Sequence, residues 1–480
     1  MAIEVLMEGI NSPSTGFGEL NVAENRAFIQ AAPLYNLIPA NFREFTSGTG
    51  STGAENRMFK VSTGAGVGGY GAIQSFRSVN YKPGEGGLAR FTALFESSVA
   101  NSWQGVGLVN LGDELSFGFN GTSFGIWHRY GGEPEIRTIT VTGAAGGSEN
   151  LTLELNDVEY TIPLTAGTVE HNAYEIADWL NTNQSVWGAD QVDDTVVINA
   201  LSDSAKSGAY NFTSGTATGT FATNNTGVTK TSDFVAQADW NGTPLNFTLD
   251  PTKGNVYQIQ YQYLGFGAIF FSVEDPVTGK FVKVHTIEWA NANTLPSLVN
   301  PSLKVGLYAV SLGSTTDLVV RTASFGAFVQ GLRADTRNPR AIENTQSCDG
   351  NFTNILTLRN RRTYNSLINQ VEVEPRLLSL SSESSQNVEV EVRSATDTGQ
   401  EQDFTSAGTN LVTDYDTTDV TVTAGRLLVS ATLGSKSSTT IDLGKLGIRL
   451  PPTLNLVIQA RVTGGAASNI TASLVWYEDL

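Results

Sequence analysis

A single cysteine, Cys348, serves 480 residues, which excludes an internal disulfide framework and makes that thiol most simply a small buried residue. Histidine is almost as scarce. His128, His171 and His285 each stand without Cys, Asp or Glu at metal-ligand spacing, so no zinc or other metal site is expected. Basic residues are also few: 29 Lys and Arg face 47 Asp and Glu, a net charge of -18, whereas holding a nucleic-acid backbone needs clustered cations. No nucleic-acid partner is expected. Nor does any run of about 18 apolar residues exist, so no membrane-spanning helix is expected. Residues 1–16 lack the basic start and apolar centre of a secretory signal, which points to synthesis in a cytoplasm and leaves sequons such as Asn120 and Asn241 as chance.

Catalytic signatures are missing as well. There is no Gly-x-Ser-x-Gly elbow, and no Ser-His-acid triad can be assembled locally. The glycine-rich stretch Gly64-Ala65-Gly66-Val67-Gly68-Gly69-Tyr70-Gly71 has no strand and helix framing it as a phosphate cradle requires, and reads as a loop. Neither an enzyme nor a cofactor is expected.

Glycine, by contrast, contributes 49 residues and charged side chains only 16%, in a chain rich in Thr, Ser and Asn, which favours short strands and many turns. Apolar residues recur at every second position in Arg90 to Phe95, Leu115 to Phe119 and Phe124 to Tyr130, with Asn120-Gly121-Thr122 as a tight hairpin turn. The same alternation resumes only at Val256 to Leu264 and Ala268 to Val273, so a β-sandwich that starts here is interrupted. Between the halves, Leu151 to Leu155 and Glu159 to Ile162 pair across Asn156-Asp157. His171 to Asn181 then places Ala173, Ile176, Ala177 and Leu180 on one helical stripe.

The expected class is mainly β. Residues 1–55 read as an N-terminal arm reaching to a neighbour, with a short helix at Val22 to Ala32. Residues 56–136 and 233–330 form a split concanavalin-like jelly-roll sandwich, and 137–232 an inserted α+β module. Residues 331–346 read as a linker and 347–480 as a C-terminal β-sandwich whose short strands recur at regular spacing.

Four groups of side chains carry candidate chemistry. Paired carboxylates of glycoside hydrolases have their only counterparts in Asp113 with Glu114 and in Glu133 with Glu135, the latter flanking Pro134 in what reads as a loop. Asp414, Asp416 and Asp419 alternate as calcium ligands do, yet lack the turn glycine and later glutamate, and read as an acidic turn. Among the tryptophans Trp103, Trp127, Trp240 and Trp289, core packing is favoured, with Trp103 and Trp127 the candidates for stacking on a sugar. Arg359, Arg361 and Arg362, with Arg333, Arg337 and Arg340 upstream, are the one basic concentration. They read either as a solvated linker paired to local acids or as a docking seam to an acidic partner surface.

Tyr81-Lys82-Pro83-Gly84-Glu85-Gly86, leading to Arg90 to Phe95 and then to Phe119-Asn120-Gly121-Thr122-Ser123-Phe124-Gly125-Ile126-Trp127-His128-Arg129-Tyr130-Gly131-Gly132, resembles a region of virion structural proteins of tailed bacteriophages and large DNA viruses. The insert is similar to small modules of phage tail and sheath-like proteins, whose hallmark is a strand hairpin, a Leu164-Thr165-Ala166-Gly167-Thr168 turn, a helix and a Val-rich strand. The resemblance covers roughly residues 75–330 and, less specifically, Leu356 onward. It implies a structural part of a virion that assembles with copies of itself or with other capsid or tail proteins. The alternative is an adhesin, fibre or decoration protein that binds surface glycans, and a glycoside hydrolase ranks below both.

Overall fold

In the computed structural model, residues 25–39, 41–331, 339–396, 403–418, 421–422, 424–464 and 466–478 are described. The alternating stretches become strands, and the chain is mainly β: a jelly-roll sandwich interrupted by an α+β insert, followed by a second sandwich.

In the first sandwich, one sheet has the strand order Asn25–Ala31, Phe325–Gln330, Gly86–Ala93, Asn255–Tyr261, Ile269–Glu274 and Phe281–Ile287. The facing sheet runs Thr231–Ala236, Ser123–Tyr130, Glu114–Asn120, Ser102–Val109, Lys304–Ser311, Tyr70–Ser78 and Phe42–Ser47. Every pairing in both is antiparallel. Alternation therefore sends one side chain in two inward, and Phe91, Phe117, Tyr257 and Phe271 fill the space between the sheets. Phe117 and Tyr257 touch with ring centroids 4.5 Å apart. Each fully buried phenylalanine ring contributes about 1.5–3 kcal/mol relative to exposure.

The insert is entered along a ribbon. Ser123–Tyr130 pairs with Thr231–Ala236 inside the sandwich, and beyond Gly131-Gly132 the ladder resumes between Glu133–Gly143 and Thr218–Val228. Gly131 takes φ +80° at the corner, a conformation open to glycine at little cost. The helix Val169–Asn183 starts at Thr168, whose hydroxyl accepts from the His171 amide, and buries Ala173, Ile176, Ala177 and Leu180 as its stripe requires. The hairpin at Asn156-Asp157 has positive φ at both residues, the requirement of a two-residue turn between right-twisted strands.

The C-terminal sandwich packs a four-stranded sheet on a six-stranded one around Cys348, Leu356, Ile458 and Trp476. Burial pushes the Cys348 thiol up to about 11.

Four expectations are corrected here. The described part of the arm, residues 25–55, supplies three strands of the first body: Asn25–Ala31 pairs with Phe325–Gln330, Phe42–Ser47 with Tyr70–Ser78, and Ser51–Glu55 with Met58–Ser62. The helix expected over Val22 to Ala32 is a strand from Asn25, where a register shift between Ala27 and Ile29 accompanies the burial of Ile29; residues 22–24 lie outside the described residues. From Pro339 the expected linker is a strand, Pro339–Cys348, paired along its length with Ser468–Tyr477. Glu133 and Glu135 lie on a strand, not in a loop.

Candidate functional site

Away from the core, the seven-stranded sheet carries a layer of rings and charges. Glycines make room for it: a Cβ on Gly105 would stand 2.5 Å from the Tyr308 ring, and one on Gly125 would stand 2.8 Å from the Phe234 ring. Those rings therefore press on bare backbone. Alternation places Trp103, Glu114, Ser116, Trp127, Arg129 and Tyr308 on this same face, opposite Val106, Leu115, Phe117, Ile126 and Leu307.

Arg129 is the hub. Its guanidinium carbon lies 3.9 Å from the Trp127 ring centroid and 4.6 Å from that of Trp103. Its Nη1 donates to Glu114 Oε2 at 2.8 Å and to the Tyr308 hydroxyl at 3.3 Å, and its Nε donates to Ser232 Oγ at 3.0 Å. Glu114 Oε1 accepts in turn from the Tyr308 hydroxyl at 2.6 Å and from Ser116 Oγ at 2.5 Å. Burial works against the charge of Arg129, but Glu114 and Tyr308 outweigh it and hold the group above its ordinary value. Burial also drives the Tyr308 hydroxyl well above its usual range. A shifted register between these strands would leave two buried charges unpaired.

Trp127 is only 2% exposed, between Arg129 and Phe234, so it offers no ring face to a sugar. Its candidacy as a glycan platform is corrected on that ground. Trp103 is half-buried and its indole N–H donates to Asn120 Oδ1 at 3.2 Å. Trp240 packs edge-on against Phe117, and Trp289 stands against His128 and Tyr130.

The carboxylate candidates are all engaged within the chain. Asp113 accepts from the amides of Val299 at 2.8 Å and Asn300 at 3.0 Å, pinning that loop to the sheet, while burial raises its carboxyl. Glu133 accepts from Asn225 Nδ2 at 2.7 Å. Glu135 is fully buried, ion-paired with Arg137 and accepting from the Tyr210 hydroxyl at 2.6 Å. Asp416 caps Thr418 through its amide at 2.9 Å and hydroxyl at 2.7 Å, and Asp419 lies outside the described residues. Among the described residues no cluster of three or more His, Cys, Asp or Glu is arranged to hold a metal ion.

The arginine cluster faces inward. Arg359 and Arg361 converge on the buried Asp414, each at 2.6 Å, and Arg359 also donates to the Gln191 carbonyl of the insert at 2.9 Å. Arg362 holds Asp190 of the insert through its amide at 2.6 Å and its guanidinium at 3.7 Å. The seam these three form lies between the insert and the C-terminal sandwich of one chain, so their reading as a surface for a separate partner is corrected. Arg340 is exposed on its strand, and Arg333 and Arg337 lie outside the described residues. Asp190, Asp414, Glu114 and Arg129 were not legible as partners, because their partners stand 15, 55 or 172 positions away and only the folded chain brings them together.

No family model and no curated protein matches the chain. Solved structures similar to it include the metal-free carbohydrate recognition domain of Emp46p, at 9% identity, a TM-score of 0.23, and 60% of this chain against 88% of that one. A legume lectin-like domain from Entamoeba histolytica shares 11% identity over 63% of this chain and 97% of that one, with a TM-score of 0.23. An archaeal virus protein described by its triple jelly roll fold and turret assembly shares 7% identity over 91% and 90%, with a TM-score of 0.18. These are likenesses of fold.

Proposed function

We propose that the chain is a structural component of a virion, made in the host cytoplasm, whose work is assembly with copies of itself or with other particle proteins. The observation that carries this reading is an apolar turn at the sheet edge. Leu34 and Ile38 are more than half exposed and Tyr35 is 99% exposed. They follow directly on Asn25–Ala31, the edge strand of the six-stranded sheet, beside a shallow depression lined by Phe328, Phe325 and Ala31. Among the described residues nothing pairs with the outer edge of that strand, and exposed apolar clusters next to such an edge favour association, both by burial and by strand addition. The resemblance carried by Arg90 to Phe95 and Phe119 to Gly132 supplies the particle.

The test is the mass of the full chain by light scattering, beside the variant Leu34→Ser/Tyr35→Ser. A defined oligomer that the variant dissociates is the expected outcome. A monomer at every concentration, or an oligomer indifferent to the variant, refutes assembly through this turn.

A second reading, glycan binding, is favoured by a different face. On the C-terminal sandwich, Thr345, Thr471, Ser381 and Ser438 stand in register across four strands, and Glu343, Ser473, Ser379 and Thr440 form the next row. Such a grid of hydroxyls matches a polyhydroxylated ligand better than the Trp103 and Trp127 pair does. Catalysis is given no part in either reading.

A further inference from the structure

Where the C-terminal sandwich meets the seven-stranded sheet and the insert, positive charge is left over. Arg43 reaches across to Thr453 Oγ1 at 3.1 Å, lies over the Phe76 ring at 5.4 Å and faces Arg362. Lys304, on the outer face of the sheet, faces Arg43 and Glu372. Glu372 is buried, accepts from the Ser78 amide at 3.3 Å, and faces Arg77, Arg449 and Lys304. The other acids nearby are taken. Glu374 holds Arg376 at 2.7 Å and Arg449, and Asp190 holds Arg362.

Among the described residues, Arg43, Arg77 and Lys304 are thus left to share one carboxylate. Burial pushes even that carboxyl upward, and it brings Lys304 down to about 8 and Arg43 down to about 10, with the neighbouring arginines adding to both. The Nε of Arg77 is buried with no hydrogen-bond partner. Three half-buried cations that share one carboxylate are poorly compensated, and in a chain of net charge -18 composition does not explain a cation surplus at an internal junction.

We propose that this junction is a binding site for a small, doubly charged oxyanion of the phosphate or sulfate class, held by Arg43, Arg77 and Lys304. Guanidinium forks match the paired oxygens of such an ion, and the ammonium adds a compact charge. Arg43, Arg77 and Lys304 each keep some exposure, so a free ion can enter, whereas a polymer-borne phosphate has to bring its chain into the seam. Because the site lies between modules, a bound ion ties the first sandwich to the C-terminal one.

The test titrates inorganic phosphate in the low millimolar range against the unfolding temperature of the full chain, with sodium chloride holding ionic strength constant. A saturable rise is expected, with the apparent dissociation constant weakened about tenfold or more in Lys304→Met, which corresponds to about 1.4 kcal/mol. Without phosphate, Lys304→Met should be no less stable than the parent, since it removes an uncompensated charge. Equilibrium dialysis with labelled phosphate should give one ion per chain, and Arg77→Gln offers the same comparison if Lys304→Met does not fold. A rise that fails to saturate and is equal in the variants is solute exclusion and overturns the site. So does the absence of binding in dialysis, or protection by a short oligonucleotide but not by free phosphate.

Discussion

Neutralising Asp414 tests the seam that joins the insert to the C-terminal sandwich. Asp414→Asn keeps the shape of the side chain and removes its charge. Two guanidinium groups then lose their counter-ion, Arg359 and Arg361, both 2.6 Å from the carboxylate. Arg359 is buried, stacked 3.8 Å from the Phe404 ring centroid, and its remaining acceptor is the Gln191 carbonyl at 2.9 Å. It cannot reach water without opening the seam. Removing one partner of such a pair costs about 3–5 kcal/mol, because the other charge stays buried and unpaired. The side chain of Arg361 is 24% exposed and can turn outward, so it adds little. At roughly 2–4 °C per kcal/mol for a unit of about 150–250 residues, the C-terminal sandwich should unfold about 6–20 °C lower. Calorimetry of the full chain measures this directly. Replacing both members, Arg359→Met with Asp414→Leu, should recover most of the loss, since apolar groups leave no stranded charge. A loss below about 1 kcal/mol in Asp414→Asn would refute the reasoning, because the seam would then be wet and its charges already solvated.

Two further outcomes follow from the same kind of contact. Gly105→Ala puts a methyl 2.5 Å from the Tyr308 ring, so the ring must leave Glu114, and a loss of about 1–3 kcal/mol in urea unfolding is expected; a neutral substitution would show that the layer is loose. Glu149 accepts from Ser214 Oγ at 2.6 Å, the Ala217 amide at 2.8 Å and Thr216 through its hydroxyl and amide, and these bonds hold its carboxyl down to about 2. A depressed carboxyl stabilises above its unfolded value and loses that contribution as pH falls towards 2, so amide protection at Thr216 and Ala217 should fade over that window and Glu149→Gln should abolish the pH dependence.

Local order was legible where one stretch contains its own partner. The hairpins at Gly121-Thr122 and Asn156-Asp157 and the stripe Ala173, Ile176, Ala177 and Leu180 are closed by near neighbours, so periodicity and turn chemistry suffice to find them. Edge strands were not. Asn25–Ala31 pairs with residues about 300 positions away, and nothing in Asn25 to Ala31 distinguishes a short helix from a strand waiting for Phe325–Gln330. Pro339–Cys348 fails for a related reason: its outer face is Glu343, Thr345 and Ser347 and its other face is only half-buried, so no apolar alternation marks it. The site suffered in the same way. Glu114 and Trp127 were visible as residue types, but whether a charged or aromatic side chain on a strand meets solvent or a partner depends on what lies over that face. Only the folded chain decides that.

The inward turn of the basic residues bears on how such a chain can associate at all. Arg129, Arg137, Arg359, Arg361, Arg362 and Arg449 are committed to Glu114, Glu135, Asp414, Asp190 and Glu374 of the same chain. Internal pairing therefore consumes cations at least as fast as anions, and the rest of the chain stays as acidic as the whole. Two such surfaces repel one another at distances up to the Debye length, about 8 Å at physiological salt. Contacts between copies must then be made by uncharged groups, and the described residues offer, among others, the apolar turn at Leu34, Tyr35 and Ile38 and the hydroxyl grid from Thr345 to Ser438. The turn has burial to drive it, whereas the grid trades bonds to water for bonds to a partner at little net gain per pair. For that reason assembly through the turn is the stronger reading, and added salt, by screening the repulsion and leaving burial intact, should tighten it rather than dissolve it.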